Sequence, residues 1–389
     1  MGLPDPPKAG IDCRRSIRRP AVPFRKRLPR QRSQRSNKPC GWHRRPFGNT
    51  ADSMAKADTM NYRFLGNTGL RVSQLCMGTM TFGNEADEAA SEAIFRRCLD
   101  SGINFFDCAN VYGDGIAETI LGKLIAGHRQ HLIVTSKCGS PFGSEMNAQG
   151  GSRRNIMASL EASLKRLGTD YIDIYFLHKF DPFTPLEVSL RALNDMVGQG
   201  KVRYIGVSNF SAWQVMKARG ISTLHDWVPV DCIQPMYNLV KRQAEVEILP
   251  MAKSENIGAI TYNPLGAGLL AGKYGTDHTT GNGRLTTSGK YQKRYRDRWM
   301  FDTARQFCEF AVEAGYHPVS LAVAWVGRND AVTAPIIGAR SVEQLEDSLR
   351  SVDIDLTDQL YDAIAEMSPT PPSATDRSEE RIKAGKANN

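Results

Sequence analysis

The chain has 389 residues, 41% of them hydrophobic, enough for one large domain or two ordinary ones. Its formal charge is +9, but residues 1–50 hold fourteen Lys and Arg against Asp5 and Asp12, a local +12, and the remaining 36 basic and 39 acidic residues sum to −3. The body of the chain therefore gives no electrostatic reason to expect a nucleic-acid partner, and neither a membrane-spanning apolar run nor a secretory signal is present to suggest a membrane.

Residues 1–59 are rich in Arg, Pro, Ser and Gln and poor in apolar residues, the composition of a disordered extension. A nucleic-acid-binding arm and a transit peptide are its functional readings, and abundant Pro argues against the amphipathic helix of the second. A start placed too early, with translation from Met54 or Met60, needs no function and ranks first. Asn61 to Val72 forms two short runs around Gly66-Asn67-Thr68-Gly69, a hairpin signal. Gln74–Met80 is predicted as the next strand, and strand and helix then alternate.

The further predicted strands are Asn104–Asp107, His131–Ser136, Tyr171–Leu177, Val202–Val207, Asp231–Gln234, Ala259–Tyr262 and Ala334–Ile337. The predicted helices are Glu85–Ser101, Ala117–Ala126, Arg153–Leu167, Leu186–Gln199, Ala212–Ala218, Val246–Glu255, Thr303–Ala314 with Leu321–Val326, and Val342–Val352. Eight strand–helix units argue for parallel strands and right-handed crossovers. A doubly wound sheet should carry Gly-x-Gly-x-x-Gly after its first strand, and nothing of the kind follows Gln74–Met80. Within the α/β class this leaves a (β/α)8 TIM barrel domain over residues 60–367, opening on an N-terminal β-hairpin and followed by a polar tail, 368–389. The long insert Gly266–Met300 reads as a basic flap. Eight cysteines show no C-x-x-C or zinc spacing, so no metal is expected, and they read as reduced core thiols of a cytoplasmic protein.

Chemistry on such a barrel lies at the C-terminal strand ends. INFFDCANVYGDG, Ile103 to Gly115, opens as a buried strand and breaks at once into Asp107, Asn110, Tyr112 and Asp114 among glycines. Two further runs deliver titratable groups in the same way: LIVTS is followed directly by Lys137, and YIDIYFL by His178. Asn209, Gln234, Tyr262 and Arg340 fall at later strand ends. Singly, each has a bland reading as a satisfied core or surface residue; the joint pattern favours a site.

Asp, Tyr, Lys and His in this order, with Tyr five residues after Asp, resemble the catalytic tetrad of the aldo-keto reductases. GVSNF at 206–210, IQPMYN at 233–238, YNPLGAGLLAGKY at 262–274 and IIGARSVEQL at 336–345 follow in the family's order, and the resemblance spans about Met60 to Met367. It implies reduction of a small aldehyde or ketone, a reaction that needs a hydride donor, a proton donor and a site that favours the developing alkoxide. A free tyrosine has a pKa near ~10, and an adjacent ammonium is expected to lower it. Lys137 would do this for Tyr112, Asp107 would pair with Lys137, and His178 would orient the carbonyl and share in proton transfer.

No side chain is a hydride donor, so a cofactor is required, and the resemblance makes it a nicotinamide dinucleotide. Ser208, Asn209 and Gln234 match the carboxamide positions and Tyr262 the aromatic that stacks on the nicotinamide. Thr79 and Met80 belong to the same site. Ser208 and Asn209 also read as an N-cap of the following helix. Asn263, Pro264, Leu265, Gly266 and Lys273 match the pyrophosphate positions, with Arg284 reaching from the flap. GAGLLAGKY is not a P-loop, because Ala267 stands five before Gly272 and Tyr274 follows Lys273. Gly338, Arg340, Gln344, Asp347 and Ser348 match the adenosine end, although the family's usual Glu-Asn is Asp-Ser here. Arg340, at the start of the last helix, is the group expected to favour NADPH over NADH. The alternative is a cofactor-binding regulatory subunit resembling potassium-channel beta subunits; the resemblance implies that those differ at the histidine position, which His178 fills.

Overall fold

The computed structural model describes residues 60–274 and 283–375. The Arg- and Pro-rich stretch before Met60, residues 275–282 of the insert and the end of the polar tail lie outside the described residues. Ten strands alternate with twelve helices among those described.

β1 (Tyr62–Phe64) and β2 (Arg71–Ser73) pair antiparallel, as the Gly-Asn-Thr-Gly turn between them predicts. β3 (Cys76–Gly78), β4 (Phe105–Asp107), β5 (Ile133–Cys138), β6 (Ile172–Leu177), β7 (Val202–Ser208), β8 (Val230–Gln234), β9 (Gly258–Tyr262) and β10 (Ala334–Ile337) close into a barrel in which every pairing is parallel. α1 (Glu88–Asp100), α2 (Ile116–Ile125), α3 (Arg153–Leu167), α4 (Leu186–Gly198), α5 (Ala212–Leu224) and α6 (Ile248–Ser254) follow β3 to β8 in turn. After β9 come α7 (Arg284–Thr287), α8 (Gly289–Arg294), α9 (Arg298–Glu313) and α10 (Pro318–Arg328). α11 (Val342–Leu349) and α12 (Asp358–Glu366) follow β10.

Strand residues alternate between two apolar layers. Ile174 and Phe176 of β6 join Cys76, Phe105, Cys232, Ile260 and Ile336 inside the barrel, while Tyr175 and Leu177 pack outward against the helices. Gly206 on β7 is required by this filling: a Cβ there would meet the Phe176 ring at 2.4 Å. Leu65 and Val72 of the hairpin are fully buried in the same inner cluster, so the hairpin stoppers the N-terminal end. Arg63 ties it to the wall by donating to Gly327 O at 3.2 Å and Val332 O at 2.9 Å.

Several boundaries differ from the sequence reading. α1 begins at Glu88 because Asp87 caps it, its carboxylate accepting from Ala90 N at 2.8 Å. α5 runs on through Gly220 to Leu224; an interior Gly costs only about 1 kcal/mol against Ala, and burial of Ala218 and Ser222 carries the helix past it. The insert is not a bare loop, since α7 and α8 lie within it and α9 begins before Thr303. α12 is absent from the sequence reading, although Leu360, Tyr361, Ile364 and Ala365 recur at helical spacing and pack on the core, and Thr357 caps the helix by accepting from Leu360 N. No helix among the described residues is long and apolar enough to cross a membrane.

Candidate active site

Asp107 is the last residue of β4. The chain then turns through Tyr112–Gly115, where Gly113 at φ 55° and Asp114 at φ 51° are left-handed, and Gly115 at φ 90° leads into α2. This reversal, which glycines permit, brings the Tyr112 phenol back over the barrel mouth. Lys137 does not follow β5 but lies within it, because β5 pairs with β6 as far as Cys138↔Leu177. His178 follows β6 directly, and its N–H donates to Cys138 O at 2.8 Å.

These four side chains converge. Lys137 Nζ donates to Asp107 Oδ2 at 2.6 Å, to Cys108 O at 2.6 Å and to Tyr112 OH at 3.2 Å. Asp107 Oδ1 accepts from Thr135 Oγ1 and from Gln234 Nε2, both at 2.7 Å. The ring of His178 stands edge-on to that of Tyr112, centroids 6.1 Å apart.

Burial lowers the Lys137 pKa, but Asp107 and Tyr112 outweigh it and the net shift is upward, so the ammonium persists. For Tyr112 the balance goes the other way. Burial raises the phenol pKa and Lys137 only opposes that rise. The expected lowering of the phenol by Lys137 is thus a partial offset to burial. His178 is pushed down to about 3 by burial, aided by Lys137, Lys290 and Lys179, and is therefore neutral at pH 7. Its Nδ1, like Asn110 Oδ1, is buried without a hydrogen-bond partner.

Around this floor lie the residues at the next strand ends. Asn209, at φ 56°, donates from Nδ2 to His178 O at 2.9 Å and to Ser208 Oγ at 3.0 Å, and accepts from Tyr262 OH at 2.7 Å. Ser208 Oγ donates to Gln234 O at 2.9 Å. Neither residue caps α5; that position is Ser211, whose N–H donates to Gln214 Oε1 at 2.9 Å. Thr79 Oγ1 is occupied by Asp107 O at 3.0 Å, and Met80 stands next to it, half-buried. After β9, Asn263 accepts from Ala267 N at 2.8 Å and donates to Tyr295 OH at 2.6 Å, while Pro264, Leu265 and Gly266 complete the bend.

Lys273, Arg284 and Arg340 are drawn together from three segments. Burial and then the charges of Arg340 and Arg284 lower the Lys273 pKa, with Asp347 opposing. Arg284 meets Glu85 at 3.4 Å. Arg340 is exposed at the end of β10, just past Gly338, and its guanidinium has no ion pair among the described residues. Its N–H donates to Gln344 Oε1 at 3.0 Å, so Gln344 also serves the start of α11. Asp347 is engaged with Arg350 at 3.2 Å, and Ser348 is buried, its carbonyl accepting from Ser351 Oγ at 2.6 Å.

Thr135, which fixes Asp107, was missed by the sequence reading. It precedes Lys137 by two on one strand, so the period of two would have found it. Tyr295, which anchors Asn263, carried no such signal inside the insert. Among the described residues no group of three or more His, Cys, Asp or Glu is placed to hold a metal ion.

The sequence matches the family model described as Aldo/keto reductase family over residues 74–369. It is 36% identical over 327 residues to the uncharacterized oxidoreductase YrpG of Bacillus subtilis (strain 168), covering 81% of this chain and 98% of that protein. A probable voltage-gated potassium channel subunit beta of Oryza sativa subsp. japonica is 35% identical, covering 82% of this chain and 99% of its own. The L-glyceraldehyde 3-phosphate reductase of Escherichia coli (strain K12) is 34% identical, covering 75% and 88%. A closed parallel barrel with these four side chains at its mouth, a family match over most of its length and these relatives place the chain in the aldo/keto reductase family of oxidoreductases.

Proposed function

We propose that the protein reduces an aldehyde or ketone to the alcohol with NADPH, on the barrel domain of residues 60–367. The observation that carries this reading is the position of Lys137 Nζ, within hydrogen-bond distance of both Asp107 and Tyr112 OH at the bottom of the mouth. In it, Tyr112 gives its phenolic proton to the carbonyl oxygen. Lys137 stabilises the phenolate left behind, which a buried phenol otherwise resists forming. Asp107, fixed by Thr135 and Gln234, keeps Lys137 charged and in place. Neutral His178 presents a ring N–H that orients the carbonyl.

NADPH, when bound, supplies the hydride. The donor set fits such a dinucleotide: Arg340 and Arg284 both bear on the charge of Lys273, where phosphates would relieve it. Ser208, Asn209 and Gln234 would hold the carboxamide end and Tyr262 the ring, beside Thr79 and Met80. Asn263, Pro264, Leu265, Gly266, Lys273 and Arg284 would follow the pyrophosphate, and Gly338, Arg340, Gln344, Asp347 and Ser348 the adenosine.

The test is an NADPH-consumption screen over aldehydes and ketones, with Tyr112→Phe as the matched control. Turnover by the wild type that the variant lacks supports the reading. Tight NADPH binding without oxidation by any carbonyl would favour a regulatory subunit, the reading that the name of the Oryza relative suggests.

A further inference from the structure

Residues 283–296, GRLTTSGKYQKRYR, hold five Lys and Arg and no Asp or Glu. Two anchors fix this stretch over the mouth of the barrel. At one end Arg284 meets Glu85, between β3 and α1, at 3.4 Å. At the other, fully buried Tyr295 accepts at its phenol from Asn263 Nδ2 at 2.6 Å and Asn238 Nδ2 at 3.2 Å, next to the ends of β9 and β8. The segment that carries α7 and α8 therefore runs from the β3 side of the mouth to the β8–β9 side.

That placement sets the cations of α8 against the reacting end of the site. Lys290 is close enough to His178 to act on it electrostatically, and Arg294 to act on Tyr262. Arg294 is half-buried, its guanidinium 5.4 Å from the Tyr291 ring centroid. Neither Lys290 nor Arg294 has a carboxylate partner among the described residues. Lys179, directly after His178, adds a third positive charge. Like charges concentrated over a partly enclosed mouth raise the local concentration of an anion and are relieved by one. Arg284 and Arg294 flank one ring, that of Tyr291, at 5.9 and 5.4 Å, so the cations proposed above for the dinucleotide phosphates adjoin those of α8; Lys290 and Arg294 are the two that act on His178 and Tyr262.

We propose that the carbonyl substrate is itself an anion, carrying a carboxylate or a phosphate, and that Lys290 and Arg294 of α8 receive that group. This rests on the carbonyl-reductase reading above. The shared chemistry is a negatively charged oxygen group that accepts charge-assisted hydrogen bonds.

The test compares kcat/KM for matched aldehydes with NADPH: succinic semialdehyde against butyraldehyde, and glycolaldehyde phosphate against glycolaldehyde. The wild type should prefer the anionic member of at least one pair by roughly ten- to hundred-fold, the worth of one or two charged contacts, and the preference should shrink as salt rises. The larger ratio tells carboxylate from phosphate. The double variant Lys290→Ala, Arg294→Ala should collapse that ratio, with the loss in KM for the anion, and leave the NADPH Kd from fluorescence titration in place. Equal kcat/KM within both pairs overturns the proposal, as does a ratio that survives the double substitution. A selective loss of NADPH affinity also overturns it, by giving these cations to the cofactor. If no aldehyde of any charge is reduced, the carbonyl-reductase reading has failed and this inference falls with it.

Discussion

Lys137 and Arg340 are cations near strand ends of the same barrel, and they are held in opposite ways. Lys137 has no exposed surface, and its ammonium meets a carboxylate, a carbonyl and a phenol within 3.2 Å. Arg340 is exposed, and its guanidinium meets no carboxylate among the described residues. The first charge is bound up in organising its neighbours; desolvation has been offset by partners the protein itself provides. The second meets no carboxylate among the described residues, and the proposed function gives it a ligand's phosphate instead. The floor of the mouth is preorganised, and its rim is left charged.

The contrast is broken most severely at Lys137. Lys137→Met should leave Asp107 buried without its counter-charge, costing about 3–5 kcal/mol of stability, and should abolish carbonyl reduction. Chemical denaturation and NADPH oxidation report the two losses. A variant with unchanged stability would mean that Asp107 is satisfied without the lysine. Next in size is Tyr112→Phe, which keeps the ring beside His178 and removes the proton donor. Turnover should fall roughly 10²–10⁴-fold, the usual contribution of general acid catalysis, with NADPH affinity retained; near-normal turnover would move the proton donor elsewhere.

Arg340→Ala sharpens the comparison from the other side. Stability should hardly change. NADPH should bind roughly ten- to hundred-fold more weakly, since charged hydrogen bonds contribute about 1.5–3 kcal/mol, and NADH should be almost unaffected because it lacks the 2′-phosphate. Parallel titrations with both cofactors decide this, and equal losses would remove Arg340 from the phosphate. At neutral pH the smallest effect belongs to His178. Its folded-state pKa lies near 3, below the ordinary ~6.5 of an unfolded chain, so between those values the unfolded state binds the extra proton. The stability from keeping His178 neutral is present above about pH 6.5 and is lost as pH falls toward 3. Thermal unfolding of His178→Gln should therefore show a shallower decline across that window than the wild type, and identical slopes would place the His178 pKa at its ordinary value.

Much of the floor was legible in the sequence because it uses a local rule: buried strands that end in polar residues. Asp107, Tyr112 and His178 stand where that rule puts them. Lys137 did not obey it, since the end of β5 is set by pairing with β6, a partner more than thirty residues away in sequence. The rim was less legible for a related reason. Whether Ser208 caps a helix depends on where α5 begins, and Ser211 decides that. The helices of the insert have short, basic sequences, and what fixes them is long-range: buried Leu285 in the core, and Tyr295 reached by Asn238 and Asn263. The raised Tyr112 phenol was out of reach altogether, because desolvation depends on packing that no spacing of residues reveals.

The hairpin at the far end of the barrel has a practical consequence for anyone trimming the gene. The family match begins at residue 74, after both hairpin strands. Leu65 and Val72 are wholly enclosed among inward-facing barrel residues, and each such side chain is worth about 1.5–3 kcal/mol on burial. Cloning from residue 74 would uncork the barrel, letting water onto Phe105 and Ala334 at the starts of β4 and β10, so such a product should be prone to aggregation. The gene should keep the codons from Met60 onward.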